Sequence, residues 1–199
     1  MYFDNNDRID FWNYFNSAYQ GRKITNRKFR DTNAWYHIVM AVDTTSAQST
    51  ADDRMKIYVN GVRETSFSTS SNPNQDQTFE IGHTGAHYIG GYGTGANFEG
   101  LMSHFHYCDG YQYQASDFGE TDSTTGEWKI KTSPSVSYGT SGHFILKDGN
   151  SVTDQSGLTN NWTVANGTLT NSEDCPSNVF ATLNTLTLSA SQLNIINGN

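Results

Sequence analysis

Asn60 and Gly61 separate two short runs that alternate apolar and polar residues, MKIYV (55–59) and VRETSF (62–67). Both central residues of a type I′ turn need positive φ, which Asn and Gly tolerate best, so the two runs read as one β-hairpin. The preceding run, WYHIVMAVD (35–43), is apolar on both faces. Tyr36, Ile38, Met40 and Val42 share one side, and Trp35, Val39 and Ala41 the other. A strand buried on both sides belongs in the middle of a layered sheet structure.

The same period of two runs along the rest of the chain. Residues 1–15 read as a hairpin with Ile9, Phe11 and Phe15 on one face, opposite Asp10, Trp12 and Tyr14. Residues 21–31 read as a polar, basic strand or strand pair, and 44–53 and 68–77 as polar surface loops. A short strand is expected at 79–82, then a long loop rich in Gly and aromatics at 83–97. A strong strand at 98–109 ends in an Asp109-Gly110 turn. Residues 111–142 look irregular apart from one helical turn at 115–118. Further strands are expected at 143–149 and 160–170, the latter with its own Asn166-Gly167 turn, and 180–199 has strand-like composition without an obvious partner. Nothing carries the long 3.6-residue period of a core helix, and no fixed-period repeat is present.

With 18 Gly, 11 Tyr, 11 Phe and three Pro in 199 residues, the composition favours strands and turns. The charge is lopsided. Residues 1–63 hold nine Lys/Arg against seven Asp/Glu, whereas residues 64–199 hold three against thirteen. The larger, acidic part would repel phosphates, so no nucleic-acid partner is expected. Arg22, Lys23, Arg27, Lys28 and Arg30 could meet an anion, but they read first as the solvated face of an edge strand guarded against aggregation. No apolar run is long enough for membrane insertion. No charged-then-apolar leader precedes a small-residue cleavage site. Cys108 and Cys175 make no disulfide framework and read as free thiols, which suits assembly in a reducing cytoplasm.

W-Y-H-I-V (35–39), K-I-Y-V-N-G-V (56–62), F-E-I-G (79–82) and F-E-G-L-M-S-H-F-H-Y (98–107), in that order, resemble the central strands of a laminin-G-like domain. The resemblance implies an all-β fold, an antiparallel β-sandwich of the concanavalin A-like jelly-roll type. A narrower resemblance runs through AHYIG (86–90), residues 98–129, residues 137–170 and CPSNVFATLN (175–184), and is most specific over 98–128. These runs are similar to a group of marine bacteriophage structural proteins with a concanavalin A-like lectin/glucanase domain, usually described as tail-fibre, receptor-binding or other virion components. The implied setting is a virion assembled in the host cytoplasm. The implied partners are a homo-oligomer (a trimer among the options), neighbouring virion proteins and a host surface glycan.

On this reading residues 1–110 form the core of the sandwich, 111–142 an irregular connector, and 143–172 additional strands packing on or completing it. Residues 173–199 are an extended tail that could open a following module. Relatives of this kind have strands before the position of Met1 and a continuation after FATLN. The expectation is therefore a segment of a larger protein, or a sandwich whose open edge is covered by a neighbouring subunit. A third option is that residues 153–168, with their D-x-S-G pattern, fold back to complete it.

Glucanases on this fold place two carboxylates on one strand face, as E-x-D-x-x-E or with one more residue. Here Glu120-Thr121-Asp122 is followed too late by Glu127, in a Gly- and Thr-rich stretch, so turn formation accounts for these acids and no catalytic residue is assigned. A glucanase-like hydrolase is the alternative to a non-catalytic structural or adhesion module. His104 and His106, two apart on a strand, would set their rings about 7 Å apart on one face. With His83 or His87 they could hold a transition metal; the competing reading is stacking on Tyr or Trp. Ca2+ could in principle use Asp43, Asp52, Asp53, Asp76 or Asp109, although no ordered ligand spacing supports it. For sugar binding, the Gly-rich loop offers His87, Tyr88, Tyr92 and Asn97, a mixture of stacking faces and hydrogen-bonding groups. The competing reading is a structural loop packed on a neighbouring subunit.

Overall fold

The computed structural model describes residues 1–92, 96–147, 152–165, 167–172 and 176. In chain order the strands are β1 (Tyr2–Phe3), β2 (Ile9–Phe15), β3 (Ala18–Thr25), β4 (Ile38–Val42), β5 (Met55–Val59), β6 (Val62–Arg63) and β7 (Phe67–Ser71). They continue with β8 (Gly91–Tyr92), β9 (Ala96–Asn97), β10 (Phe105–Tyr107), β11 (Gly119–Thr121), β12 (Trp128–Ile130) and β13 (His143–Ile145). A 3-10 helix spans Gln48–Arg54 and a short helix, α1, spans Ala115–Phe118. The four-stranded sheet has the order β1-β2-β3-β7, and a three-stranded sheet the order β4-β5-β6. Every pairing is antiparallel.

Turn chemistry sets the register. Asn60 and Gly61 take φ of 46° and 81°, so Val59 lies opposite Val62 as an Asn-Gly hairpin requires. Asn16 and Ser17, at φ 50° and 61°, do the same between β2 and β3, placing Phe15 opposite Ala18.

The core lies between the two larger sheets. Ile9 and Phe11 from β2 pack with Met55, Ile57 and Val59 from β5, and Ile38, Met40 and Val42 of β4 join them. Each buried side chain of this size contributes roughly 1.5–3 kcal/mol. The opposite face of the three-stranded sheet is covered too, since Ala41 and Tyr58 pack with Ala115, Val39 and Trp128. The sheet is thus a middle layer, as the two apolar faces of residues 35–43 require, although β4 lies at its edge.

Several local expectations change. The basic run is no edge strand: β3 lies between β2 and β7. Four of its five charges are paired, Arg22 with Asp10, Lys23 with Asp52, Arg27 with Glu64 and Arg30 with Asp7. Residues 44–53 are more than a surface loop, because the 3-10 helix carries Arg54 into the interior, where it is 1% exposed and donates to the carbonyls of Ser46 and Pro73. Residues 79–82 form a turn in place of a strand, with Phe79 packed on the core and His83 N–H donating to Glu80 O. The strand expected over 98–109 shrinks to β10. Within 111–142 the helical turn falls at α1 as its sequence suggests, but β11 and β12 pair as a hairpin in what reads as pure connector.

Residues 152–165 and 167–172 contain no strand. They fold back onto the end of β13 through Asp154, which accepts from the Phe144, Ser156 and Asn160 N–H groups. Asn166, Cys175 and, apart from Pro176, the tail 173–199 lie outside the described residues. Cys108 is a half-buried free thiol, pushed up to about 11 by burial and by Asp117. Among the described residues no helix is long and apolar enough to cross a membrane.

Candidate functional site

The loop singled out for sugar binding is held by its own histidine. His87 Nε2 receives the Gly82 N–H at 3.1 Å while Nδ1 sits 2.9 Å from Gly85 O, an arrangement that fits the Nδ1-protonated tautomer. Both ring nitrogens therefore serve the loop backbone. Tyr88 is 55% exposed at the surface. Tyr92 and Asn97 lie on the paired β8 and β9, with Gly91 opposite Asn97 and Tyr92 opposite Ala96; Asn97 is exposed, while the Tyr92 side chain and residues 93–95 lie outside the described part.

The histidine pair is packed against rings. His104 has φ of 50° just before β10, which breaks the alternation expected of an H-x-H strand. His106 stacks 4.0 Å from Phe144 and 6.0 Å from Tyr138, and its Nδ1 lies 2.8 Å from the Tyr138 hydroxyl. His104 also contacts Phe144, at 5.8 Å. Burial, aided by the nearby His104, holds His106 down to about 3, so it is neutral. His83 Nδ1 accepts from the Gly85 N–H in a separate turn. Among the described residues no group of three or more His, Cys, Asp or Glu is placed to hold a metal ion. The loop aspartates are engaged elsewhere. Asp43 caps Thr45, Asp52 meets Lys23 and Asn72, Asp53 pairs with Arg63, and Asp109 accepts from the Ser141 N–H. Asp76 takes φ of 58° in a turn and donates its N–H to Thr44 O.

The acids at 120–127 belong to the β11–β12 hairpin. Asp122 accepts from the Thr124 and Thr125 N–H groups and pairs with Lys129, and these bonds hold its carboxyl far below the usual range. Glu120 lies on β11 opposite Lys129.

A different constellation emerges on the outward face of the four-stranded sheet. Across β1, β2 and β3, Tyr2 lies opposite Asp10 and Trp12 opposite Arg22, with Tyr14 and Tyr19 paired beyond the bulge that follows Asn13. The Asp10 side chain is 1% exposed and takes both arms of the Arg22 fork, Nε at 3.0 Å and Nη2 at 2.5 Å. The fork leaves Arg22 Nη1 outside the pair. Around it stand rings. Tyr2 and Trp12 meet edge-on at 4.9 Å, Tyr14 and Tyr19 at 5.1 Å, and the Arg22 guanidinium lies 4.4 Å over Tyr19. Tyr2, Tyr14 and Tyr19 are each about half exposed. Partial burial and the hydrogen bond to Asp10 push the Tyr2 phenol up, keeping it a donor.

Such a face offers ring surfaces for C–H groups and a fixed polar centre for hydroxyls. Its signal in the sequence is the non-core face of RIDFWNYF, where Trp and Tyr stand outward; large exposed aromatics are the informative departure from apolar-inside packing. Residues 1–113 match the family model described as the concanavalin A-like lectin/glucanases superfamily, a stretch that takes in this whole face. No curated protein and no solved structure matches the chain.

Proposed function

The chain belongs, through residues 1–113, to the concanavalin A-like lectin/glucanase superfamily, and from that premise we propose that it is a non-catalytic, glycan-binding adhesion module of a bacteriophage particle. The observation that carries the glycan part is the outward aromatic face built by Tyr2, Trp12, Tyr14 and Tyr19 around the Asp10–Arg22 pair. The phage setting rests on the similarity of residues 98–128 to virion structural proteins. With it come a place in the virion, neighbouring virion proteins as partners and a homo-oligomeric state.

Two features support binding over hydrolysis. Glycoside hydrolysis needs two carboxyl groups flanking one bond, roughly 5–9.5 Å apart. Asp10 is the one carboxylate among the six residues of the face, and both of its oxygens are engaged by the Arg22 fork. The E-x-D acids sit elsewhere, in a hairpin whose Asp122 is tied to Lys129. The test is retention of the protein on immobilised host-cell polysaccharide, with reducing ends assayed in parallel. Retention that Trp12→Ala weakens about tenfold or more (~1.4 kcal/mol) supports the reading. Release of reducing ends would make the protein a hydrolase, and retention unchanged in the variant would remove the face from the function.

A further inference from the structure

A strand at the end of a sheet leaves one row of backbone N–H and C=O groups without a neighbour, and proteins guard that row with short strands, charges, proline or bulges. Among the described residues only β4 and β7 end a sheet with more than three residues. β7 is polar and loses register at Ser68, between Phe67 opposite Thr25 and Thr69 opposite Ile24. β4 has no such guard. Its residues, Ile38–Val42, are all apolar and pair with β5 in unbroken register.

The ladder fixes which groups are free. His37 O accepts from the Asn60 N–H at 2.8 Å, and the Asp43 N–H donates to Arg54 O at 3.0 Å. Bonded and non-bonded pairs alternate along an antiparallel ladder. Val39 and Ala41 therefore bond to β5 as well, while Ile38, Met40 and Val42 turn their N–H and C=O groups the other way. No described residue pairs with those groups. The side chains of β4 reach both apolar clusters, yet Ile38, Val39, Met40 and Val42 stay only half-buried.

We infer that β4 docks antiparallel against β4 of a second copy of this chain, across a twofold axis at Met40, joining the two three-stranded sheets into one. Hydrogen-bond phase is the first argument. With Met40 opposite itself, Ile38 lies opposite Val42 of the second copy, so all the outward residues meet one another and every free N–H and C=O gains a partner. Side chains are the second. Val39 falls opposite Ala41 of the second copy, and the seam is apolar on both faces with no charge to desolvate.

The third argument lies at the ends of the seam, where the same register sets His37 opposite Asp43 of the second copy. Trp128 donates to His37 Nδ1 at 2.9 Å, so the hydrogen of the neutral ring is on Nε2 and free to donate. The Thr45 N–H and hydroxyl both go to Asp43 Oδ1, at 2.9 and 2.6 Å, which leaves Oδ2 to accept it. A contact of this kind rests on the homo-oligomeric part of the proposed function and not on its glycan part.

Sedimentation and amide hydrogen exchange by NMR, both run from about 10 μM to about 1 mM protein, test the seam. The expected result is a monomer–dimer equilibrium. Val39 and Ala41 should be protected at every concentration, and Ile38, Met40 and Val42 only as the dimer forms. Ile38→Pro removes an outward N–H at the first residue of an edge strand, where proline is tolerated, and should raise the dimer Kd about tenfold or more. Asp43→Ala, at the partly exposed strand end, should raise it about threefold or more, and decides the matter if Ile38→Pro does not fold. Four outcomes overturn the seam. They are a monomer throughout, an oligomer in which Ile38, Met40 and Val42 still exchange freely, protection of those three in the monomer (another segment then covers β4), and a dimer that Asp43→Ala and a folded Ile38→Pro both leave unchanged. Retention of a strictly monomeric protein on polysaccharide would overturn the seam while leaving the glycan reading in place.

Discussion

The Trp128 indole donates its Nε1 hydrogen to Nδ1 of His37 at 2.9 Å, joining the β11–β12 hairpin to the approach of β4 across 91 residues of sequence. The bond requires a neutral His37, and burial provides one by holding that imidazole down to about 4. His106 is held lower still, to about 3. An unfolded histidine titrates near 6.5. Below that value the unfolded chain binds protons that the folded one refuses. Stability is therefore complete above about pH 6.5 and lost as pH falls towards 4, at up to ~1.4 kcal/mol per pH unit for each histidine. Thermal melts should give a constant Tm above about pH 7 and a falling one between about 6.5 and 4.5. A Tm indifferent to that interval would contradict the neutral, buried state of both rings.

Gly61 gains its importance from the same tryptophan. Its φ is +81°, and a Cβ built there would overlap the Trp128 ring. Gly61→Ala thus combines a strained turn with a steric clash and should cost about 2 kcal/mol or more in urea unfolding. In a Trp128→Ala background the clash disappears and the backbone part, about 1 kcal/mol, remains. Equal costs in the two backgrounds would show that the ring does not rest on this turn.

The Asp10–Arg22 pair should answer asymmetrically to truncation. The Asp10 side chain is 1% exposed and that of Arg22 25%. Arg22→Ala strands a buried carboxylate, at a cost of about 3–5 kcal/mol. Asp10→Ala leaves a guanidinium that can reach water, and should cost less than half as much. Equilibrium unfolding of the two variants checks the order, and a larger loss for Asp10→Ala would reverse it.

How much of this was readable in advance depends on the range of the interaction. Turns are local, and Asn60-Gly61, Asp109-Gly110 and the helical turn at Ala115–Phe118 form where their sequences place them. The two faces of RIDFWNYF are local as well; Ile9 and Phe11 enter the core while Asp10, Trp12 and Tyr14 stand on the other side. Pairing is not local. The basic run 22–30 looks like a solvated edge because its carboxylate partners lie up to 37 positions away, as Glu64 does from Arg27. The aromatic face escaped for the same reason. Trp12 and Tyr14 are evident on β2, but Tyr19 and Arg22 join them only through the β2–β3 register, shifted by a bulge after Asn13. In the Gly-rich loop the residue types suggest a ligand, whereas His87 spends both ring nitrogens on its own backbone.

Asp154 shows what holds the chain beyond the hairpins. Its carboxylate accepts from the N–H groups of Phe144, Ser156 and Asn160, each at 2.9 Å, and from the Ser156 hydroxyl at 2.8 Å. The Asp154 N–H in turn donates to Asn161 Oδ1 at 2.9 Å. This side chain closes the segment after β13 and, together with the Gln155 N–H donating to the Phe144 carbonyl at 2.7 Å and Trp162 packing on His143, fixes it to the strand without a ladder of its own. Asn160 extends the tie by donating to the carbonyls of Thr140 and Gly142. Asp154→Ala removes the acceptor for several buried or half-buried donors at once and should cost about 2–4 kcal/mol. Asp154→Asn keeps the shape but brings an NH₂ to a site that needs acceptors, so it should recover less than half of the loss. Limited proteolysis locates the effect: cleavage should first appear between residues 152 and 172, before the hairpins around Ile57 open. Simultaneous cleavage throughout the chain would mean that the Asp154 knot does not hold this segment separately from the sandwich.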